Sequence, residues 1–363
     1  MLTAHWAGSF IEKIKFEFNI FIRIQKGRKK MKTQKRNHFV DVLKGICIIF
    51  VIFTHASWTD EQRVKLFFPF WIDMAVPFFM LVTGYVYTKS FQKNGIETLD
   101  SAYNKKYLLK NFIRYTIPYF IAFAIDFCVQ VILYIRNPTG IKRFLVHEIA
   151  LFLQGGNGPG SYYYPEMIQI MFLFPIIYAL VKKYNWKGVL VVAFATFFFE
   201  VLKFPYMENE GQYRLLLFRY FMLIAFGSYF AMNKMNRKHW ILSVVGFCFI
   251  ILFKYTNYSP KIFKWWTGTS MFPVLFIVPI FGFLVEKNIK FAPLEKIGKA
   301  SYNIFLTQMV YYCYLYGKIK EFLVNVYLNA VVSIAICVII GIVFYEIENR
   351  ITKKVTAKVI EKA

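Results

Sequence analysis

Apolar runs of membrane-crossing length recur along almost the whole chain, and this limits what it can fold into more than any single motif does. About twenty apolar residues cross a hydrocarbon core, with a range of roughly 17–25. Ten runs are candidates, near residues 39–57, 67–88, 111–135, 166–181, 188–202, 215–232, 239–253, 269–285, 301–316 and 322–347. Of the 363 residues, 58% are hydrophobic and 18% charged. A soluble fold has no interior large enough to hide that much apolar surface, and a disordered chain has far less of it. The expected class is therefore all-α: a polytopic helical membrane bundle of about ten transmembrane helices.

The net charge of +25 would suggest nucleic acid on a soluble protein. On a membrane chain it is read through loop positions, because cytoplasmic loops collect Lys and Arg. Of the 45 basic residues, thirty fall on the side of the N-terminus, twelve on the opposite side and three, Lys44, Arg114 and Arg219, inside runs. Both termini are thus expected in the cytoplasm, with 1–38 a basic cytoplasmic segment, 39–350 the membrane domain and 351–363 a cytoplasmic tail. Residues 1–30 have no signal-peptide pattern. Two readings of them stand: a basic amphipathic surface helix over Phe10–Ile24, or read-through of a ribosome-binding site before a true start at Met31. The five cysteines lie in apolar runs without metal spacing. No metal site is expected.

The first run carries Asp41, Lys44 and His55. Each ionisable group in a membrane costs roughly 2.5–3.5 kcal/mol on insertion scales. Lys44 and His55 are eleven residues apart, about three turns plus 20°, so they share a helix face and differ in depth by about 16 Å. Asp41, three residues before Lys44, is placed to pair with it. Such a stripe must face a bundle interior or a wet cavity. Asp41–Lys44 reads either as a snorkelling interfacial pair or as part of a site. His55 reads either as a cap at the outer surface or as a general base, since an imidazole with a pKa near 6.5 suits proton abstraction. Asp73, Arg114, Asp126 and Arg219 are further polar groups in apolar surroundings, and cations at the N-terminal side could hold phosphates. The longest outer loop, about 136–165, contains the glycine-rich run from Gln154 to Glu166. Its Tyr162, Tyr163 and Tyr164 read as interfacial anchors, like Trp58, Trp265 and Trp266, or as a wall that stacks on sugar faces.

Asp41-Val42-Leu43-Lys44-Gly45 with His55 eleven residues after Lys44 resembles the opening signature of the membrane-bound acyltransferase-3 family. Phe78-Phe79 followed by Thr83-Gly84-Tyr85 is similar to its second-span segment, with Thr83 for serine. Lys110 to Pro118 resembles its basic third-span start, with Asn111 in place of the first arginine. Gly298, Ser301-Tyr302 and Leu306 to Gln308 are similar to its late block, with Gln308 where the family has histidine. Glu346-Ile347-Glu348-Asn349-Arg350 resembles its terminal element without the proline.

The resemblance implies an O-acyltransferase that moves an acyl group, most commonly acetyl, from cytoplasmic acyl-CoA to a hydroxyl of a cell-surface or envelope carbohydrate. It implies His55 as the catalytic base. Lys44, Arg114 and Arg219 would bind the donor, and Asp41, Thr83, Gln308 and Glu348 would support the site. Tyr162, Tyr163, Tyr164 and Glu166 would face the acceptor. Acetyl-CoA would be a substrate and no tightly held cofactor is expected. Expected partners are the lipid bilayer, acyl-CoA, a glycan or glycolipid acceptor and glycan-synthesis proteins, with no nucleic acid. The expected location is the cell membrane of a bacterium. A polysaccharide exporter or flippase, and a scaffold subunit of a polymer synthase, are the competing classes.

Overall fold

The computed structural model describes residues 37–138, 140–206, 209–256, 258, 260–263 and 265–362. The expectations for Phe10–Ile24 and Met31 lie outside them. The helical body begins at His38. Among the described residues all regular structure is helical, in the order α1 (His38–Thr54), α2 (Asp60–Lys65), α3 (Ala75–Asn94), α4 (Leu99–Ala102), α5 (Lys105–Arg136), α6 (Ile141–Leu153), α7 (Tyr163–Tyr184), α8 (Trp186–Tyr206), α9 (Glu210–Arg214), α10 (Phe221–Met232), α11 (Trp240–Tyr255), α12 (Ile277–Lys287), α13 (Ala292–Lys299), α14 (Ser301–Tyr314), α15 (Tyr316–Phe322) and α16 (Val326–Lys362). Short 3-10 turns at Phe68–Phe70, Leu217–Tyr220, Arg237–His239 and Pro273–Phe276 precede α3, α10, α11 and α12.

Each of the ten apolar runs coincides with a helix. Among the described residues six helical segments are long and apolar enough to cross a membrane: Phe68–Asn94, Lys105–Arg136, Tyr163–Tyr184, Arg237–Tyr255, Thr267–Lys287 and Val326–Glu361. Leu217–Met232 is a shorter apolar one. Large apolar side chains stand exposed on the outer helices, such as Leu190, Phe194 and Phe198 on α8 and Val331, Ile339 and Val343 on α16. Surface of this kind suits hydrocarbon, not water. Two details differ from the sequence reading. The expected 136–165 loop contains α6, whose Ile141, Leu145, Ile149 and Leu153 form an exposed apolar stripe at helical spacing. And α16 continues without a break past residue 350, so residues 351–362 of the expected tail are helical.

Cross-links fix the relative directions of the central helices. Gly298, at the end of α13, lies against Asp41, while the Tyr312 hydroxyl donates to the Ile52 carbonyl at 2.7 Å; α14 therefore runs alongside α1 in the same direction. Tyr302 donates to the Tyr115 carbonyl and Tyr314 to Asp126, so α5 runs that way too. Asn303 bonds Glu348 and Tyr311 meets Ser333, so α16 runs opposite. The bundle accordingly has a near end, where α1 starts, and a far end, where it stops.

Helix backbones approach closely at two glycine pairs. A Cβ added to Gly298 would meet the Asp41 carbonyl oxygen at 1.8 Å, and one on Gly45 the Leu294 oxygen at 2.4 Å. Gly84 and Gly227 stand in the same reciprocal relation across α3 and α10, each 2.0 Å from a carbonyl of the other helix. Without water to drive helices together, small residues that admit close backbone packing supply much of the association. At the first pair, His38 Nδ1 also donates to Glu295 at 2.9 Å. That bond holds the Glu295 carboxyl below its usual range, so its stabilising contribution is complete at neutral pH and is lost as pH falls through the lowered pKa.

Gly298→Val should therefore lower the yield of folded, detergent-solubilised protein sharply, while Gly317→Ala, where nothing lies within 4 Å of the added carbon, leaves it unchanged. Size-exclusion profiles of the two variants check this. A monodisperse Gly298→Val protein would contradict the close packing of α13 on α1.

Candidate active site

The charged stripe of α1 does face the interior, and a cavity opens at each end of it. At the near end Lys44 Nζ lies 2.7 Å from Asp41. Lys44 lines a cavity of about 130 Å³ together with Arg114 from α5 and Lys299 from the end of α13. Thr83, Ser90, Asn111 and Ser301 add hydroxyls and an amide, and Tyr107, Tyr115, Tyr163 and Tyr302 add aromatic walls. The Arg114 guanidinium stands 5.7 Å from the Tyr115 ring centre. Among the described residues no carboxylate lies within ion-pair distance of Arg114 or Lys299. Two cations without an internal counter-charge, beside a third, make a site for an anion with several charges.

At the far end a cavity of about 410 Å³ is lined by His55, Arg63, Asp73, Arg214 and Lys254, with Tyr162, Tyr220, Trp266 and Phe305. His55 lies one residue beyond α1. Its ring meets Tyr312 edge-on at 5.6 Å, and no hydrogen bond to a described residue occupies either ring nitrogen. Arg63 folds back on the end of α1 because Thr59 and Gln62 form a reciprocal capping box that starts α2. Its Nη2 donates to the Thr54 carbonyl at 2.8 Å and its Nη1 to the Thr54 hydroxyl at 3.2 Å. The opposite wall is the turn after α6, where Gly155, Gly156, Gly158 and Gly160 all have φ between 88° and 102°. L side chains are strained there, and Gly160 also leaves room for the Phe305 ring. Gln308, fully buried, pins this turn by donating to the Pro159 carbonyl at 3.0 Å.

The two cavities are separated by aromatic rings. Phe305 lines the far one and packs at 4.8 Å against Tyr163, which lines the near one. Phe79 backs Tyr163 at 6.4 Å. A cation-lined cavity and an imidazole therefore lie at the two ends of α1, with the Phe305 and Tyr163 rings between their walls.

Residues 37–346 match the acyltransferase-3 family model, described as an acyltransferase domain. The chain belongs to the acyltransferase-3 family. Comparison with curated proteins and with solved structures finds no match. Membership makes the chain an acyltransferase, and with its apolar helices a multi-pass membrane protein.

The family-like positions do not all converge. Lys44, Arg114 and Thr83 share the near cavity, and His55 and Tyr162 the far one. Tyr163 belongs to the near cavity, not with Tyr162. Tyr164 lines neither: its ring stacks on Tyr119 at 3.9 Å and its hydroxyl meets Thr116. Glu348 is buried and holds Asn303 and Thr352, a packing link between α14 and α16. Arg219 is not brought to Lys44 and Arg114. It sits behind the far cavity, 3.2 Å from the fully buried Glu166 and 3.6 Å from the Trp266 ring centre. Sequence grouping failed here because Arg219 lies near the start of its apolar run, at the far end, whereas Lys44 and Arg114 lie at the near end. Glu166 likewise faces its arginine and not open space. The cavity residues Arg63, Arg214, Lys254 and Lys299 went unnoticed because each reads as an ordinary loop or helix-end charge. Lys299 alone had a signal, since it follows Gly298 in the late block.

A buried pair of this kind is dangerous to halve: removing one partner strands the other charge at a cost of about 3–5 kcal/mol. Arg219→Met and Glu166→Leu should each lower thermal stability strongly in detergent, and the double variant should be less damaged than the two losses combined. Strictly additive losses would mean that the pair is not coupled.

Proposed function

We propose that the protein transfers an acyl group, acetyl in the first instance, from cytoplasmic acyl-CoA to a hydroxyl of an envelope carbohydrate. The reading rests on one observation: the near cavity carries cations without counter-charge, the far one an unbonded imidazole, and the Phe305–Tyr163 contact joins their walls. In this reading the chain crosses a bacterial plasma membrane ten times with both termini inside, so that the near end is cytoplasmic. The basic segment 1–38 and the end of α16 then face the cytoplasm, which agrees with the distribution of Lys and Arg.

Lys44, Arg114 and Lys299 hold the phosphates of the donor. CoA is a substrate here, and its pantetheine arm spans the depth between the two cavities. The acceptor hydroxyl lies against His55. The imidazole takes the hydroxyl proton, the acceptor oxygen bonds to the thioester carbonyl carbon, and the carbon–sulfur bond breaks. The departing thiolate then takes the proton back from the imidazolium. Asp41 balances Lys44 while the donor site is empty. Gln308, which cannot exchange a proton near neutrality, acts by fixing the turn that walls the acceptor side. Glycan-synthesis proteins that deliver the acceptor are the natural partners.

Radiolabel from acetyl-CoA should appear on an acceptor saccharide in proteoliposomes. Loss of general-base assistance in His55→Gln should cut the rate by about two to four orders of magnitude with normal insertion. Label transfer by that variant within about threefold of wild type, or saccharide export without labelling, would overturn the reading. Arg114→Ala and Lys299→Ala should weaken CoA binding, measured by calorimetry, and unchanged affinity in both would remove the phosphate site.

A further inference from the structure

The far cavity has more positive charge than an imidazole-based acyl transfer to a neutral sugar requires. Three cations converge on it, Arg63, Arg214 and Lys254, against one carboxylate, Asp73. Arg63 stands 3.9 Å from that carboxylate and is held in place by Thr54. Neither Arg214 nor Lys254 has an ion-pair partner among the described residues. Arg214 Nε is buried without a hydrogen-bond partner. Lys254 is laid across Gly268, where a Cβ would meet its Cε at 2.4 Å; the glycine leaves the space that the lysine stem fills. The loop charges of this end are few, and three of them share one cavity. Membrane orientation does not explain that, because the rule that gathers Lys and Arg acts on the opposite side.

We infer that the acceptor is anionic: a saccharide that carries a carboxylate or a phosphodiester beside the hydroxyl to be acylated, its negative group held by Arg214 and Lys254. The inference rests on the acyl-transfer reading above and specifies its acceptor. The half-buried rings of Tyr162 and Trp266 on the same wall offer flat apolar faces for a sugar ring. Arg63, already engaged by Thr54 and Asp73, keeps its charge close to His55 and completes the positive field. A neutral glycan would leave Arg214 and Lys254 facing it unpaired, so discrimination comes from desolvated charge as well as from attraction.

The test uses the full-length protein in proteoliposomes with labelled acetyl-CoA and three oligosaccharides of equal length: neutral, uronate-containing and phosphodiester-linked. One of the two anionic acceptors should be acylated with kcat/KM at least about tenfold above the neutral one, a ratio that one charged hydrogen bond supplies. Which of them is preferred separates carboxylate from phosphate. The preference should shrink as salt is raised. Lys254→Gln and Arg214→Gln should each raise KM for the anionic acceptor by about tenfold, leaving CoA affinity as in the wild type. Equal acylation of all three saccharides, or a preference that survives both substitutions, overturns the inference while acyl transfer stands. No labelling of any saccharide by protein that still binds CoA overturns the acyl-transfer reading and this inference with it.

Discussion

An ionisable side chain inside a membrane must be surrounded by protein or by a wet cavity, and α1 with the turn that ends it carries three in a single stripe. Everything nearby serves that requirement. α13 packs on the start of the stripe through the Gly45–Gly298 contact, and α14 continues beside it to the Tyr312–Ile52 hydrogen bond. α3 and α16 pack on other sides of α1, and polar residues of α3 and α5 line the near cavity. Separation of the cations from the imidazole then follows from helix geometry: eleven residues of α-helix give about 16 Å of depth. In the proposed reaction that separation is what a long, thin donor spans.

The sequence carried the helical class plainly, since each apolar run became a helix, and it carried the α1 stripe, since helical spacing alone places Asp41 beside Lys44. It carried much less of the far cavity. Arg63 reaches His55 through a capping box and a backward turn, Arg214 through a five-residue helix, and Lys254 from the end of a helix remote in sequence. No periodicity joins those positions. Tyr162, Tyr163 and Tyr164 separate for a related reason: successive residues at the start of a helix point about 100° apart, so one triplet supplies a cavity wall, a partition and a stacking partner. Position in a run also misled for Arg219, because the same apolar stretch can bring a cation to either end of the bundle.

Charge is treated differently around Arg219 and in the two cavities. Around Arg219 it is neutralised by Glu166 and covered by the rings of Trp266 and Tyr220; this is a closed, structural arrangement. In the two cavities the cations are exposed or half-buried, and Arg114, Lys299, Arg214 and Lys254 have no ion-pair partner among the described residues, so they stay open to a ligand's counter-charge. That contrast separates the cavities, whose cations are open to a ligand, from the Arg219 cage, which is closed and stands behind one of them.

The most direct test of this account is a cryo-electron microscopy structure of the protein in nanodiscs with CoA bound. The account predicts the phosphates beside Lys44, Arg114 and Lys299, and the pantetheine arm passing between Tyr163 and Phe305 so that the thiol lies next to His55. Phosphates seated on Arg214 and Lys254 in the far cavity, or a thiol that stays on the near side of the closed rings, would contradict it.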